Sequence, residues 1–264
     1  MAKESSEGYL GMLWDVGLRL DPKEDIGKYA IVWRDEFGEK AKIIADCFDD
    51  VQKLWEYREY TVWSGHVAGI KAAAIATGWG SASASVVAEE LANHGIETII
   101  RMGACGSIQE WVKLGDIIVA EAACRGDGGS REYMPLDYPA VANFEVTQAL
   151  VKAAERIGEK IHLGITRTHD SYYVETNASL QGALQKMRRR SRIPVYKAGR
   201  VLAVENEAAT TFVVSRIRGL KCGGIFYVTG NMITDTELYP DTARPIAKKV
   251  AKISIEAIKI LEGK

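Results

Sequence analysis

Short apolar runs of strand length alternate along this chain with longer segments of helical periodicity. The apolar runs are residues 29–33, 59–64, 70–77, 96–102, 116–120, 161–168, 201–204 and 224–228. The helical segments are residues 39–47, 81–93, 145–157 and 207–218, with a further helix near the end of the chain. Strands that are covered by helices on both faces are near-continuous runs of Val and Ile, as these runs are. The pattern therefore predicts an α/β fold, a three-layer αβα sandwich around a mixed central sheet.

The final helix has one apolar face. Its apolar residues recur at steps of four and three, and they are Ile246, Val250, Ile253, Ala257 and Ile260. This spacing puts them on a single face of the helix, which we expect to pack on the sheet. The lysines between them, Lys248, Lys249, Lys252 and Lys259, then form the solvated side of the helix.

The charge balance excludes one class of partner. The 264 residues carry 34 Lys and Arg against 35 Asp and Glu, a formal net charge of −1, so bulk positive charge cannot attract nucleic acid. No apolar run reaches the roughly 18 residues of a membrane span, and we expect no membrane partner. With 47% hydrophobic residues the chain can bury a large core. We predict an N-terminal arm, residues 1–28, and a single domain, residues 29–264.

The cysteines and histidines do not form a metal or disulfide pattern. The four cysteines, Cys47, Cys105, Cys124 and Cys222, are far apart in the sequence and include no CxxC pair. The four histidines include no HExxH motif or other close ligand pairing. We therefore expect a reducing, cytoplasmic location, no catalytic metal and no organic cofactor.

Polar and glycine-rich residues follow three of the apolar runs, where ligands bind in open α/β sheets. Residues 101–107 begin with Arg101 and continue into glycines, which favours a phosphate site, although a structural ion pair explains the pattern equally well. Residues 204–209 carry Glu205 and Glu207, which suit either a cis-diol or, more commonly, the start of a helix. Residues 78–83 favour a tight strand-to-helix turn over a nucleotide-binding loop, because the last glycine of GxGxxG and a P-loop lysine are absent.

Motifs spread over most of the chain resemble one enzyme family. They are residues 58–60, 76–78, 88–91, 101–106, 112–116, 125–130 and 204–210. In this order and spacing they resemble the nucleoside phosphorylases of the hexameric purine/uridine phosphorylase family, and the uridine branch most closely. The resemblance implies the phosphorylase/hydrolase-like αβα sandwich. It also implies reversible phosphorolysis of a nucleoside to a free base and ribose 1-phosphate, a glycosyltransferase reaction of nucleoside salvage.

The resemblance assigns phosphate and catalytic residues. Arg101 matches the phosphate-binding arginine, and Arg58 matches an arginine that a neighbouring subunit contributes to the same phosphate. Arg101 and Glu207 are thereby the catalytic candidates. The family's Gly-Asp-Pro-x-Arg phosphate motif is missing after the first strand, and Arg34 or Lys40 is the candidate for restoring its charge. A family hydroxyl residue is replaced by Ala104.

The resemblance also assigns the ribose site. Glu207 matches the glutamate that binds the ribose hydroxyls, and Glu205 matches its partner. Asn206 stands where the family has methionine, so the contact under the sugar is altered. Tyr9 occupies the place of a histidine that reaches a neighbour's ribose in some relatives.

The base-binding residues depart most from the family. Tyr172 matches an aromatic residue that packs on the base, but the Gln-x-Arg pair of uridine phosphorylases does not follow it. Purine phosphorylases place an aspartate where this chain has Gly230. Because this acid is missing, we favour a pyrimidine as the base. Thr176 and Asn231 could offer it hydroxyl and amide partners. Asp235 could fold back over the pocket and supply a proton to a purine. A purine phosphorylase therefore stays an alternative.

Assembly and activity have alternatives as well. The resemblance implies a homo-oligomer with shared sites, a hexamer in preference to a dimer, with nucleoside and inorganic phosphate as substrates. Glu59 and Ser83 match positions that hold a potassium ion between subunits, or they are a surface glutamate and a helix-capping serine. A further alternative is a paralogue that has lost turnover and binds nucleoside or builds the oligomer, since the first phosphate motif is disrupted.

Overall fold

The computed structural model describes residues 26–34, 37–39, 41–172 and 192–264. Its strands are β1 Tyr29–Arg34, β2 Asp49–Tyr57, β3 Tyr60–Val67, β4 Ile70–Thr77, β5 Thr98–Ser107, β6 Ile117–Gly126, β7 Ala140–Val141, β8 Ile161–His169, β9 Ala203–Glu205, β10 Lys221–Asn231 and β11 Thr236–Glu237. Its helices are α1 Lys42–Ala45, α2 Gly80–Asn93, α3 Gly129–Tyr133, α4 Phe144–Ile157, α5 Ile193–Ala198, α6 Ala208–Ile217 and α7 Pro240–Leu261.

One mixed sheet runs through the molecule, and part of it closes on itself. Its open side runs β5-β1-β4-β3-β2, with β1 parallel to both β4 and β5. On the other side, β5 pairs with both β10 and β9, and β6 and β8 complete the circuit between these two. The five strands β5, β10, β6, β8 and β9 therefore form a closed ring.

Helices cover both faces of the sheet, and β1 shows this directly. Its residues alternate between the two sides, as the period of two of a strand requires. Tyr29, Ile31 and Trp33 belong to the apolar cluster formed with α4 and α7. Ala30 and Val32 belong to the opposite cluster, formed with α2 and α6. The predicted α/β fold with a mixed central sheet is thus confirmed.

The face predicted for the last helix is confirmed in α7. Val250, Ile253 and Ala257 are fully buried, and Ile246 and Ile260 pack against the same cluster. Lys248 and Lys252 are exposed, as expected of the solvated side.

The sequence pattern missed β2, whose residues are mostly polar and exposed. An edge strand needs no continuous apolar run, because only one of its neighbours is protein. Among the helices of the described residues, none combines the length and the apolar character that a membrane span requires. The predicted arm lies largely outside the described residues, so the domain division stays a prediction.

Candidate active site

A cavity of about 300 Å³ opens where the ring of strands meets the ends of β1 and β8. Its walls come from the ends of β1, β5 and β8, from β9 and from the β10–β11 hairpin. The lining residues used below are Arg34, Ala104, His169, Tyr172, Glu205, Asn206, Gly230, Asn231 and Asp235. The register of β10 against β5 shifts between Val228 and Gly230, and such a bulge bends the strand beside the cavity.

Arg101 lies behind this wall, on β5, and is 1% exposed. Its Nη2 donates to Glu207 Oε2 at 2.6 Å, and its Nη1 donates to the carbonyl of Met102. Its Nε is buried and has no hydrogen-bond partner among the residues that the structure describes. A Cβ at Gly103 would lie 3.0 Å from both terminal guanidinium nitrogens, so the absent side chain gives this arginine its space.

Glu207 joins three elements of the fold at this point. It precedes α6 and is 2% exposed. Its Oε2 accepts from Arg101 on β5, and its Oε1 accepts from the backbone N–H of Gly80, 2.8 Å away at the start of α2. Gly80 has φ +87°, a conformation that favours glycine. The tight turn predicted between β4 and α2 therefore uses a glycine at this position. Arg101 and Glu207 thus form a buried ion pair. A structural ion pair is one of the two interpretations that the sequence analysis gave for Arg101.

Glu205 binds the start of the same helix. Its Oε2 accepts from the N–H groups of Glu207 and Ala208 at 2.8 and 2.7 Å, and its Oε1 accepts from the Thr168 hydroxyl. This carboxylate therefore satisfies the unpaired N–H groups at the start of α6. Burial, and next the charge of Glu207, raise the pKa of Glu205 to about 7, although the Thr168 hydroxyl acts in the opposite direction.

The two asparagines assigned to the site are engaged by the protein itself. The Asn206 side chain donates to the carbonyl of His169. Asn231 donates to the carbonyls of Gln109 and Val112 at 3.0 Å, while its oxygen accepts from the N–H groups of Ile233 and Thr234. An amide has two donor hydrogens and two acceptor lone pairs, so Asn231 has no capacity left for a base unless one of these bonds breaks. In this structure the amide braces the hairpin, and its predicted role in binding a pyrimidine stays a prediction.

Beside the cavity, the Trp79 side chain contacts both Arg34 and Tyr172. The Arg34 guanidinium carbon is 3.7 Å from the centre of the Trp79 ring. The Trp79 ring meets Tyr172 edge to face, with centroids 5.9 Å apart. Sequence reasoning missed Trp79. The signal that could have found it is a large aromatic side chain between two glycines, immediately after a buried strand.

Arg58 is exposed, in contrast to the buried Arg101. It lies in the exposed turn between β2 and β3, with its guanidinium 5.1 Å from the Tyr57 ring centre. It is not among the residues that line the cavity.

Glu59 and Ser83 are brought together against Gly78. A Cβ on that glycine would meet Glu59 Oε1 at 2.9 Å and Ser83 Oγ at 2.8 Å. The Ser83 hydroxyl also bonds to the Tyr60 hydroxyl and the Gly78 N–H, both at 2.9 Å. Within the described ranges, no group of three or more His, Cys, Asp or Glu side chains could hold a metal ion.

Three predicted site residues, Tyr9, Lys40 and Thr176, lie outside the described residues. The structure adds His169, which is 5% exposed, to the cavity wall. It also places Asp235 there, in a turn where this residue has φ +55°. A left-handed aspartate is tolerated in turns, because its short side chain can bond locally.

Comparisons with known proteins agree with these features. A family model described as the phosphorylase superfamily matches residues 28–259. The chain belongs to the phosphorylase superfamily. It is 34% identical over 238 residues to a uridine phosphorylase of Thermococcus kodakarensis, covering 90% of this chain and 83% of that protein. The uridine phosphorylase of Escherichia coli is 34% identical over 225 residues, covering 84% and 88%. A guanosine phosphorylase of Halorubrum lacusprofundi is 32% identical over 226 residues, covering 83% and 88%. The family resemblance of the sequence is thereby confirmed.

The pKa of Glu205 predicts how the stability of this superfamily member depends on pH. The unfolded chain releases the proton near pH 4.5 and the folded protein near pH 7. Because the folded protein binds the proton more tightly, its free energy of unfolding falls as the pH rises between these values, by about 3 kcal/mol. Glu205→Gln should abolish this contribution, since its oxygen can accept from both N–H groups while its amide donates to Thr168.

Denaturant unfolding from about pH 4.5 to about pH 8 measures the effect. Glu155→Gln is the matched control, because Glu155 is exposed on α4. The control should show the same pH dependence as the parent protein. A parent and a Glu205→Gln variant with parallel pH profiles would contradict the raised pKa.

Proposed function

We propose that this protein is a nucleoside phosphorylase. In the reaction, a phosphate oxygen forms a bond to C1′ of ribose while the bond between C1′ and the base nitrogen breaks. The electron pair of that bond stays on the base, which takes up a proton, and the products are the free base and ribose 1-phosphate. Superfamily membership, the names of three relatives and the buried Arg101–Glu207 pair beside the cavity support this function.

The state of Arg101 is the observation that carries the proposal. Its charge is paired with Glu207, yet its buried Nε–H has no acceptor among the described residues. A buried donor without a partner costs free energy, which a phosphate oxygen would recover. Phosphate held there lies close to the carbon on which positive charge develops, and this favours the transition state over the ground state.

Glu207 suits the ribose hydroxyls better than Glu205 does. A carboxylate offers about four lone-pair sites. Glu205 already accepts three hydrogen bonds, whereas Glu207 accepts two, from Gly80 and Arg101. Two neighbouring hydroxyls need two acceptors, which leaves Glu207 as the ribose ligand and Glu205 as the group that braces it.

A second positive charge for the phosphate comes from Arg34 in our proposal. It lines the same cavity as Ala104, at which the family hydroxyl is lost. A guanidinium group offers several N–H donors in one plane and can replace contacts that a backbone glycine and a hydroxyl would make.

The protein acts as a homo-oligomer with shared sites in this proposal, preferentially a hexamer. Arg58, in its exposed turn, serves the phosphate of a neighbouring copy in this proposal. A potassium ion between copies would use Glu59 and Ser83, and it would need further oxygen ligands from the second copy, since two oxygens do not replace its hydration shell. The cytoplasm is the proposed compartment, on the ground that all four cysteines are free thiols.

The base is a pyrimidine in our favoured version, and uridine in particular. Two of the three relatives named above are uridine phosphorylases, and Gly230 leaves no acid at the purine-specific position. A purine phosphorylase is the second candidate, because Asp235 lies in the cavity wall and one relative is named a guanosine phosphorylase.

Removal of Arg101 should act mainly on phosphate. Arg101→Ala deletes a desolvated charged donor, so we expect phosphate binding to weaken by about 2–5 kcal/mol, while nucleoside binding changes less. Arg101→Lys keeps a charge beside Glu207 but loses the planar fork, so its fold should be retained and its phosphate affinity should still fall. The measurement is phosphorolysis at varied phosphate and at varied nucleoside. Arg216→Ala, an exposed position on α6, is the control.

Two outcomes test the proposal further. If Arg101→Lys binds phosphate as the parent does, Arg101 is not a phosphate ligand. Release of base from a nucleoside without added phosphate would identify a hydrolase rather than a phosphorylase.

Shared sites predict complementation between inactive variants. Arg58→Ala and Glu207→Gln chains should each be inactive alone. Mixed and refolded together they should regain part of the activity, because some mixed sites have both residues intact. The activity of the mixture is compared with the activity of each variant refolded alone at the same total concentration. A fully active monomer in sedimentation experiments would contradict the proposal.

The base preference follows from the missing acid. A positioned proton donor contributes about 10²–10⁴-fold, and Gly230 supplies none, so uridine should be cleaved faster than inosine, guanosine or adenosine. The kcat/KM values for these nucleosides and cytidine, at saturating phosphate, measure it. A preference for guanosine or inosine that disappears in Asp235→Asn would favour the purine version. No turnover with any of the five would favour a nucleoside-binding subunit.

A further inference from the structure

Two glycines lie opposite each other on neighbouring strands, and both line the cavity. In the parallel pairing of β5 with β10, Gly230 is in register with Gly106. The same register continues to Val204 on β9 and to Glu237 on β11, which line the cavity as well. Residues in register on neighbouring strands share a face of the sheet. One row of four residues therefore crosses the cavity wall, and its two central positions carry no side chain.

The backbone conformation does not require glycine at either central position. Neither Gly106 nor Gly230 is among the described glycines with a positive φ. The β-bulge between Val228 and Gly230 therefore does not need its glycine for a left-handed turn. Glycine inside a strand destabilises the fold relative to alanine, because its backbone loses more conformational freedom on folding.

Packing against the protein does not require glycine either. A Cβ at Gly106 would lie 3.5 Å from Val204 Cγ2 and 3.7 Å from Met232 Cγ, which is ordinary van der Waals contact. A Cβ at Gly230 would have one atom of the described residues within 4 Å, the Thr236 carbonyl oxygen at 3.8 Å. Both positions thus have room for a side chain, and this room is part of the cavity.

A side-chain-free strip of strand backbone suits the face of a flat ring. Glycine lets a ligand approach the backbone closely, and a planar ring against flat peptide groups makes many van der Waals contacts at once. Phosphate and ribose need the charged donors and acceptors that Arg101 and Glu207 supply, and glycine has no side-chain donor or acceptor. Of phosphate, ribose and base, the base alone is a flat ring.

We infer that Gly106 and Gly230, here called the glycine strip, form the floor of the base site, on which the nucleobase lies flat against the backbone of β5 and β10. The inference rests on the proposed function for the identity of the ring. It requires no hydrogen bond from Asn231, whose amide is engaged by backbone groups. The missing side chains provide the volume that the base occupies.

Substitutions that fill the strip test this site. Gly230→Ala adds one methyl group, and Gly230→Val adds a β-branched side chain that strands accommodate well. We expect the KM for nucleoside to rise on the order of tenfold in Gly230→Ala and on the order of a hundredfold in Gly230→Val, since the added carbons take the place of the ring. Gly106→Ala should act in the same direction as Gly230→Ala.

Stability should change in the opposite direction to binding. Without ligand, Gly230→Ala and Gly106→Ala should melt at the temperature of the parent protein or above it, because each replaces a strand glycine where a Cβ has room. A gain in stability together with a loss of nucleoside binding is the result that a merely structural glycine would not give. Variants that melt well below the parent protein would show that the fold needs these glycines, and would overturn the inference.

Gly199→Ala and Gly199→Val are the matched controls. Gly199 follows α5 with φ −76°, and a Cβ there would also meet described atoms no closer than 3.5 Å. It is not among the residues that line the cavity. Both control variants should bind and cleave nucleoside as the parent protein does.

Binding of free bases separates this inference from the proposed function. Uracil and hypoxanthine, each titrated alone in a calorimeter, should include at least one base that binds the parent protein and binds Gly230→Val at least tenfold more weakly. If such a base binds in this way but no nucleoside is cleaved with phosphate, the proposed function fails and the glycine strip is supported. If nucleosides are cleaved with phosphate, but Gly230→Val and Gly106→Ala bind and cleave them as the parent does, the inference is overturned and the proposed function stands.

Discussion

The ion pair between Arg101 and Glu207 is the interaction on which the organisation of the site depends. Both side chains are almost fully buried, so each would be costly without the other, and separating them would leave an uncompensated charge in the protein interior. The pair also joins three elements, because Glu207 precedes α6, accepts from the start of α2 and holds an arginine of β5. Gly103 and Gly80 supply the close approach and the left-handed turn that this arrangement needs.

The closed ring of strands explains why this interaction can exist. Arg101 and Glu207 are separated by more than one hundred residues in the sequence. They meet because β5 pairs with β9 and β10 at once, and β9 delivers the two glutamates to the start of α6. The cavity lies at one end of this ring of strands. Glu205 lines the cavity, and Glu207 lies behind its wall.

The two halves of the site differ in how far they depart from the family motifs. The proposed phosphate and ribose half retains Arg101, Glu205 and Glu207, although the first phosphate motif of the family is missing. The contacts of these three residues are made with strands, helix starts and glycine turns. The proposed base half lies on the β10–β11 hairpin and beside Tyr172. There the Asn231 side chain is engaged by backbone groups of Gln109, Val112, Ile233 and Thr234, and Asp235 lines the cavity. Specificity for a base depends on a few donors and acceptors, so small changes in a hairpin can alter it while the chemistry of the sugar and phosphate is retained.

Much was determined by the sequence alone, because it depends on local patterns and on charge. The apolar periodicity predicted the α/β layers and the buried face of α7, the Gly78–Gly80 region predicted a tight turn, and the ordered motifs predicted the superfamily. Only the tertiary structure decided which partners these residues have. It pairs Arg101 with Glu207, uses Glu205 to bind the start of α6, engages the Asn231 amide with backbone groups and stacks Trp79 on Arg34. The physical reason is that hydrogen bonds, stacking and burial are made between residues far apart in the chain, and a motif states which groups are present without stating which of them are already satisfied.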